Sequence, residues 1–214
     1  GQGPDHSSAR IERYLQMCAQ DNMLVAQPST PASYFHLLRE HTYTRPRRPL
    51  IVFTPKQLLR LKAACSPVED FTSGTFQPVI GETDDAVLAS ARKQGVDRVL
   101  LCSGRVYYDL LAHRTKTGDT STAIVRLEQL YPLESSAIAE ALAPFSGAEL
   151  VWVQDEPANQ GMWPYLALNL PTDLTGGVLP TLVSRPEAAA PAVGTAGVHR
   201  AQQEEILRQA FARH

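Results

Sequence analysis

The sequence is poor in the features that mark secreted, metal-built or membrane-spanning chains. Only three cysteines, Cys18, Cys65 and Cys102, occur in 214 residues. They lie far apart in no Cys-x-x-Cys arrangement, which argues against a disulfide framework and a thiolate zinc site and fits a reducing, cytoplasmic compartment. Apolar runs stop after a few residues, far short of the ~20 that a membrane-spanning helix needs, and no charged-then-apolar leader is seen. The formal net charge of -2 gives no global field to gather nucleic acid or a membrane surface. Any anion site must therefore be local. Gly-x-Gly-x-x-Gly and Gly-x-x-x-x-Gly-Lys loops are missing, which weakens a dinucleotide or nucleoside-triphosphate reading. There is no Gly-x-Ser-x-Gly elbow, and His36, His41, His113, His199 and His214 show no His-x-x-x-His spacing, so serine hydrolysis and zinc hydrolysis are set aside.

What is present is globular. Hydrophobic residues make up 43% and charged residues 20% of the chain, enough for one large or two small domains. Ile11, Leu15 and Cys18 keep helical spacing, with Ser7 or Ser8 as a cap. Met23–Ala26 reads as a strand, Thr30-Pro31 as a capped helix start with Phe35 and Leu38 on one face, and Leu50–Phe53 as a second strand. From Ser66 to Gly95 the pattern is irregular, with Pro67, Gly74, Pro78, Gly81 and the acidic Glu82, Asp84 and Asp85. This predicts a linker with a peripheral strand near Phe76–Ile80. Beyond it, apolar runs at Val99–Cys102, Ala123–Val125, Leu150–Val153 and Thr181–Val183 alternate with helical stretches ending at His199–Phe211. Such alternation predicts a mostly parallel, doubly wound α/β sheet covered on both faces.

Several residues are candidates for chemistry. His6 sits between a Gly-Pro turn and a serine pair, where an imidazole could bind or protonate an anion; a turn histidine bonding its own backbone would look the same. Arg45, Arg47, Arg48, Lys56, Arg60 and Lys62 form a stretch without an acidic residue, suited to an anionic effector or to a solvated basic face. Gly104 marks a strand-to-helix turn of the kind that borders ligand crevices, and is equally read as a structural turn. Asp155-Glu156 ends a buried strand, where paired carboxylates could do acid/base work, while Asn159, Gly161 and Trp163 suit an interface loop. A start at Gly1, straight into the dense motif Gly3-Pro4-Asp5-His6-Ser7-Ser8-Ala9-Arg10, is expected of a fragment or excised domain.

Taken in order, six blocks resemble the decarboxylating component of bacterial 2-oxoglutarate dehydrogenase. They are Gly1–Leu15, Pro28–Ala32, Arg48–Lys56, Cys102–Leu110, Arg126–Pro132 and Glu156–Trp163. The resemblance covers nearly the whole chain, and its first and last blocks are the most specific. It implies the C-terminal part of a transketolase-like pyrimidine-binding domain over 1–62, a linker and peripheral strand over 63–95, and a transketolase C-terminal-like domain over 96–214. It further implies a thiamine diphosphate and Mg2+ enzyme acting as a homodimer, which decarboxylates 2-oxoglutarate and succinylates the lipoyl group of dihydrolipoyl succinyltransferase. His6 would then be catalytic and, with Ser7, substrate-binding. Some members carry a nucleotide or acyl-coenzyme A effector site, for which Arg48, Lys56 and Arg60 are the candidates here. The activating glutamate and the magnesium-diphosphate loop belong upstream in that family, so no turnover is expected of these residues alone. A 2-oxoadipate dehydrogenase, a carboligating decarboxylase and a non-catalytic assembly or regulatory module are the alternatives.

Overall fold

The computed structural model describes residues 7–212, so His6 and His214 lie outside the described residues. In chain order its regular elements are α1 (Ile11–Gln16), β1 (Leu24–Ala26), α2 (Pro31–Tyr43), β2 (Leu50–Val52), α3 (Glu69–Thr72), β3 (Val79–Ile80), α4 (Asp85–Lys93), β4 (Arg98–Cys102), α5 (Val106–Thr117), β5 (Thr122–Leu127), β6 (Gln129–Tyr131), α6 (Ser135–Leu142), β7 (Glu149–Pro157), α7 (Trp163–Asn169), β8 (Thr181–Arg185) and α8 (Ala196–Ala210). Short 3-10 turns fill some of the connections. No helix among the described residues is long and apolar enough to cross a membrane.

Two sheets result. The smaller has the order β2-β1-β6, the larger β3-β5-β4-β7-β8. In the larger, β5, β4, β7 and β8 run parallel and only the edge strand β3 is antiparallel. The α/β, mostly parallel architecture expected from the sequence is what forms. Alternation along the central strands decides which core each residue joins. Val99 and Leu101 face one way and meet Ile11, Leu15, Val25 and Phe53 from α1 and the smaller sheet. Leu100 and Cys102 face the other way, against Leu110 of α5 and Ile206 of α8. One apolar core thus glues the two sheets together, and a second backs the larger sheet.

At four places the structure corrects or adds to the sequence reading. The start of α1 is Arg10, which makes no side-chain cap bond, so neither Ser7 nor Ser8 caps it. On α2 the buried face is Ala32, Ser33, His36 and Leu37, while Phe35 and Leu38 are exposed. Phe35 packs edge-on against Phe71 of α3, centroids 5.8 Å apart, outside the core. The stretch read as irregular holds α4, nine residues long, started by Asp84 accepting from the Ala86 amide. Its neighbour Glu82 is not a solvated acid: it is ion-paired to the buried Arg114 and accepts from the Ile124 amide at 2.8 Å. Finally, the chain leaves β5 at Glu128 and enters β6, which pairs antiparallel with β1. Leu127-Glu128-Gln129-Leu130 was too short an apolar signal to reveal that change of sheet.

Candidate functional site at the seam between the sheets

The order β5-β4-β7 puts neighbours on both sides of β4, and the chain crosses from one side to the other after β5. Strand ends that diverge in this way leave a crevice at the carboxyl edge of the sheet. Here the C-terminal ends of β1 and β2 close over it. Gly104, just beyond β4, makes this approach possible: its φ is +66°, and a Cβ there would lie 2.7 Å from Gln27 Cδ. The Gln27 side chain is in turn fixed by Ser103 Oγ, which donates to Oε1 at 2.9 Å.

The crevice encloses a cavity of ≈ 220 Å³, lined among others by Ser7, Glu12, Gln27, Lys56, Ser103, Arg105, Asp155, Glu156, Arg185 and His199. Its cations and acids are arranged unevenly. Arg105 Nε donates to Asp155 Oδ2 at 3.2 Å, and its Nη2 donates to Asp109 Oδ2 at 2.6 Å. Arg185 donates to the Asp155 carbonyl at 2.7 Å and to the Gln203 side chain at 2.6 Å. Burial pushes the Asp155 carboxyl up, but the two guanidinium groups more than offset this and hold it below the usual value. Beside it, no Arg or Lys reaches ion-pair distance of Glu156 among the described residues. Burial, reinforced by the Asp155 carboxylate, pushes the Glu156 carboxyl up to about 7. The site therefore carries one settled carboxylate and one acid able to gain or lose a proton near neutrality, the separation of roles that acid/base sites exploit.

Further along the same edge, where β5 ends, the seam is closed by a buried knot. Glu128 is 0% exposed. Its carboxylate accepts from the Ser29 amide at 2.7 Å, Ser29 Oγ at 2.5 Å and Ser33 Oγ at 2.6 Å. Arg126 donates to Ser29 Oγ at 3.0 Å, and the Tyr108 hydroxyl donates to the Ser29 carbonyl at 2.7 Å. Each element brings one part, so the β1–α2 connection is locked to the larger sheet.

Of the residues singled out by sequence, Ser7 and Lys56 come to the cavity wall together with Asp155 and Glu156. Arg48 and Arg60 do not. Arg48 precedes β2 and Lys56 follows it, so the strand separates them, and Arg48 faces Asp21 at 3.9 Å. Arg60 is exposed on the 3-10 turn Lys56–Arg60. The loop Asn159–Trp163 serves contacts within the chain: Asn159 Nδ2 donates to the Ala188 carbonyl at 3.1 Å, and the Gly161 amide donates to Glu12 at 3.0 Å. Glu12, Gln27, Glu128 and Arg185 escaped the sequence reading. For Glu128 a signal existed, the lone acid between Ala123 and Tyr131 in a largely apolar run; Glu12 looked like any polar helix residue.

Comparison with known proteins adds a consistent set of findings. Residues 65–211 match the family described as 2-oxoglutarate dehydrogenase C-terminal, and residues 1–62 match Transketolase, pyrimidine binding domain. The 2-oxoglutarate dehydrogenase E1/E2 component of Corynebacterium glutamicum is 48% identical over 99% of this chain and 17% of its own length. The 2-oxoglutarate dehydrogenase E1 component of Cupriavidus necator is 47% identical over 100% of the chain and 22% of its own length. The multifunctional 2-oxoglutarate metabolism enzyme of Mycobacterium sp. (strain JLS) is 48% identical over 99% of the chain and 17% of its own length. The chain thus spans about a fifth of the curated relatives it matches. Among solved structures, a split gene transketolase, an inactive beta4 tetramer, superposes with a TM-score of 0.59 at 12% identity, covering 94% of this chain and 60% of that one. At that identity the likeness is one of fold.

Proposed function

Because this chain belongs to the 2-oxoglutarate dehydrogenase C-terminal family, we propose that it is part of the component that decarboxylates 2-oxoglutarate and passes the succinyl group to the lipoyl group of a dihydrolipoyl succinyltransferase. The observation that carries this is the match over essentially the entire chain at 47% identity to a 2-oxoglutarate dehydrogenase E1 component. The geometry is compatible with it. Ser7, next to His6 in the chain, lines a cavity that also holds the titrating Glu156. In this reading His6 and Ser7 meet the substrate, and the larger sheet supplies the opposite wall.

The resident cofactor would be thiamine diphosphate with Mg2+, which when bound acts as the electron sink for decarboxylation. The described residues do not fit its metal and diphosphate end. No group of three His, Cys, Asp or Glu side chains among them could hold a metal ion, and Arg105 and Arg185 are occupied by Asp155, Asp109 and Gln203. The ligands of that cofactor would therefore come from elsewhere in a longer subunit, which would act in the cytoplasm as a homodimer. For an anionic nucleotide or acyl-coenzyme A effector, Lys56 at the cavity and Arg48 at the far end of β2 are now separate candidates, with Arg60 on the surface between neither.

The test uses a full-length subunit. His6→Ala is expected to lower turnover of 2-oxoglutarate by about 100-fold or more, as loss of a general acid or base does. Parental turnover would remove His6 from the site. Product analysis with 2-oxoglutarate and 2-oxoadipate decides the substrate, and preference for the longer acid would overturn the assignment.

A further inference from the structure

The approach to α1 is held from the other end of the chain. Arg10 gives α1 no side-chain cap, so another contact has to fix how residues 7–10 enter the helix. Glu12 does so from within its first turn. One carboxylate oxygen accepts from Arg10 Nε at 2.7 Å. The other accepts from the amide of Gly161, 149 residues away, at 3.0 Å. Both side chains are largely covered, Arg10 26% and Glu12 18% exposed, so these are charge-assisted bonds poorly replaced by water.

The Gly161 end is itself rigid. Gly161 has φ +72°, and a Cβ there would lie 2.9 Å from Glu156 Cβ. Gln154 Nε2 donates to the Pro157 and Gln160 carbonyls at 3.0 and 2.8 Å. Its Oε1 accepts from Trp152 Nε1 at 2.9 Å and from the Trp163 amide at 3.0 Å. The turn after β7 is thus a fixed post, and Glu12 ties the Ser7–Arg10 segment to it.

We propose that Glu12 is a positioning residue for the 2-oxo acid reaction: through Gly161 it sets the cavity wall at Ser7 against the larger sheet. The inference rests on the function proposed above. It also gives the C-terminal domain a part in catalysis beyond assembly.

The experiment is steady-state kinetics of the full-length holoenzyme with 2-oxoglutarate, alongside thermal unfolding and thiamine diphosphate affinity. Glu12→Ala is expected to lower kcat by about 10-fold or more, the scale of misplacing a reacting group, with KM, cofactor affinity and Tm close to parental. Glu12→Gln keeps an acceptor for the Gly161 amide and is expected to restore most of kcat. Parental kcat in Glu12→Ala overturns the proposal, as does a Glu12→Gln enzyme no better than Glu12→Ala, or a kcat loss matched by loss of cofactor or of Tm. Should Glu12→Ala not fold, Glu12→Asp retracts the carboxylate by one methylene; reduced kcat supports the tie, and parental kcat overturns it. His6→Ala separates the two readings. If it leaves turnover intact, the proposed function of His6 fails. If it abolishes turnover while Glu12→Ala is unaffected, only the positioning role fails.

Discussion

Two acids, Glu128 and Glu156, sit on the same edge of the larger sheet, one at the end of β5 and one at the end of β7, and they have opposite surroundings. Glu128 is fully enclosed and receives three hydrogen bonds from two serines. Glu156 lines the cavity, has a like charge beside it and is pushed up to about 7. A buried carboxylate supplied with donors is a fastening, because its oxygens are already held by hydrogen bonds. One left beside another acid is a group available to a ligand or a proton. The seam between the sheets is thus closed at one end and open at the other.

The contrast can be broken most forcefully at the closed end. Glu128→Ala leaves the buried Ser29 amide and the Ser29 and Ser33 hydroxyls without their acceptor, and is expected to cost about 3–5 kcal/mol, read from the urea midpoint at constant m-value. A loss under about 1 kcal/mol would show that the knot is no fastening. Between the two ends, Gly104→Ala combines a left-handed backbone with a Cβ 2.7 Å from Gln27 Cδ, for an expected loss of about 1–3 kcal/mol. Pairing it with Gln27→Ala should recover part of that loss; strict additivity would mean that the close approach of the sheets is not the cause.

At the open end the effect is smaller and depends on pH. The folded-state value of Glu156, about 7, lies above its ordinary 4.5. The native state therefore binds the proton more tightly than the unfolded state, and stability falls as pH rises from 4.5 through 7. Glu156→Gln removes that fall, so its unfolding free energy, from urea titrations at each pH, should gain on the parent's across this window by about 1–2 kcal/mol after solvent screening. Parallel pH profiles for variant and parent would show that Glu156 holds no extra proton in the folded state and erase the contrast.

How much was legible beforehand follows the range of the physics involved. The Thr30-Pro31 start of α2 was readable because a cap bond spans three residues: the Ser33 amide donates to Thr30 Oγ1 at 3.1 Å. The central strands were readable from continuous apolar runs, since both faces of the larger sheet are covered. Asp155-Glu156 and Gly104 were visible as strand-end features, but not which acid would be neutralised or what Gly104 would touch. Arg48, Lys56 and Arg60 looked like one cluster because sequence spacing ignores that β2 runs between them. His6 and Ser7 were singled out through their motif, and of the two only Ser7 lies within the described residues.

By itself, then, the order of residues determined most of the helices and strands, the parallel character of the larger sheet and the family resemblance, because these depend on periodicity, capping and ordered blocks along the chain. Only the tertiary structure decided that β6 crosses to the smaller sheet, that Glu128 fastens the seam, that Glu156 lies in the cavity with no cation at ion-pair distance among the described residues, and that Glu12 meets Gly161. Each of those depends on a contact between residues far apart in sequence. The environment of a carboxylate is set by what folding brings beside it.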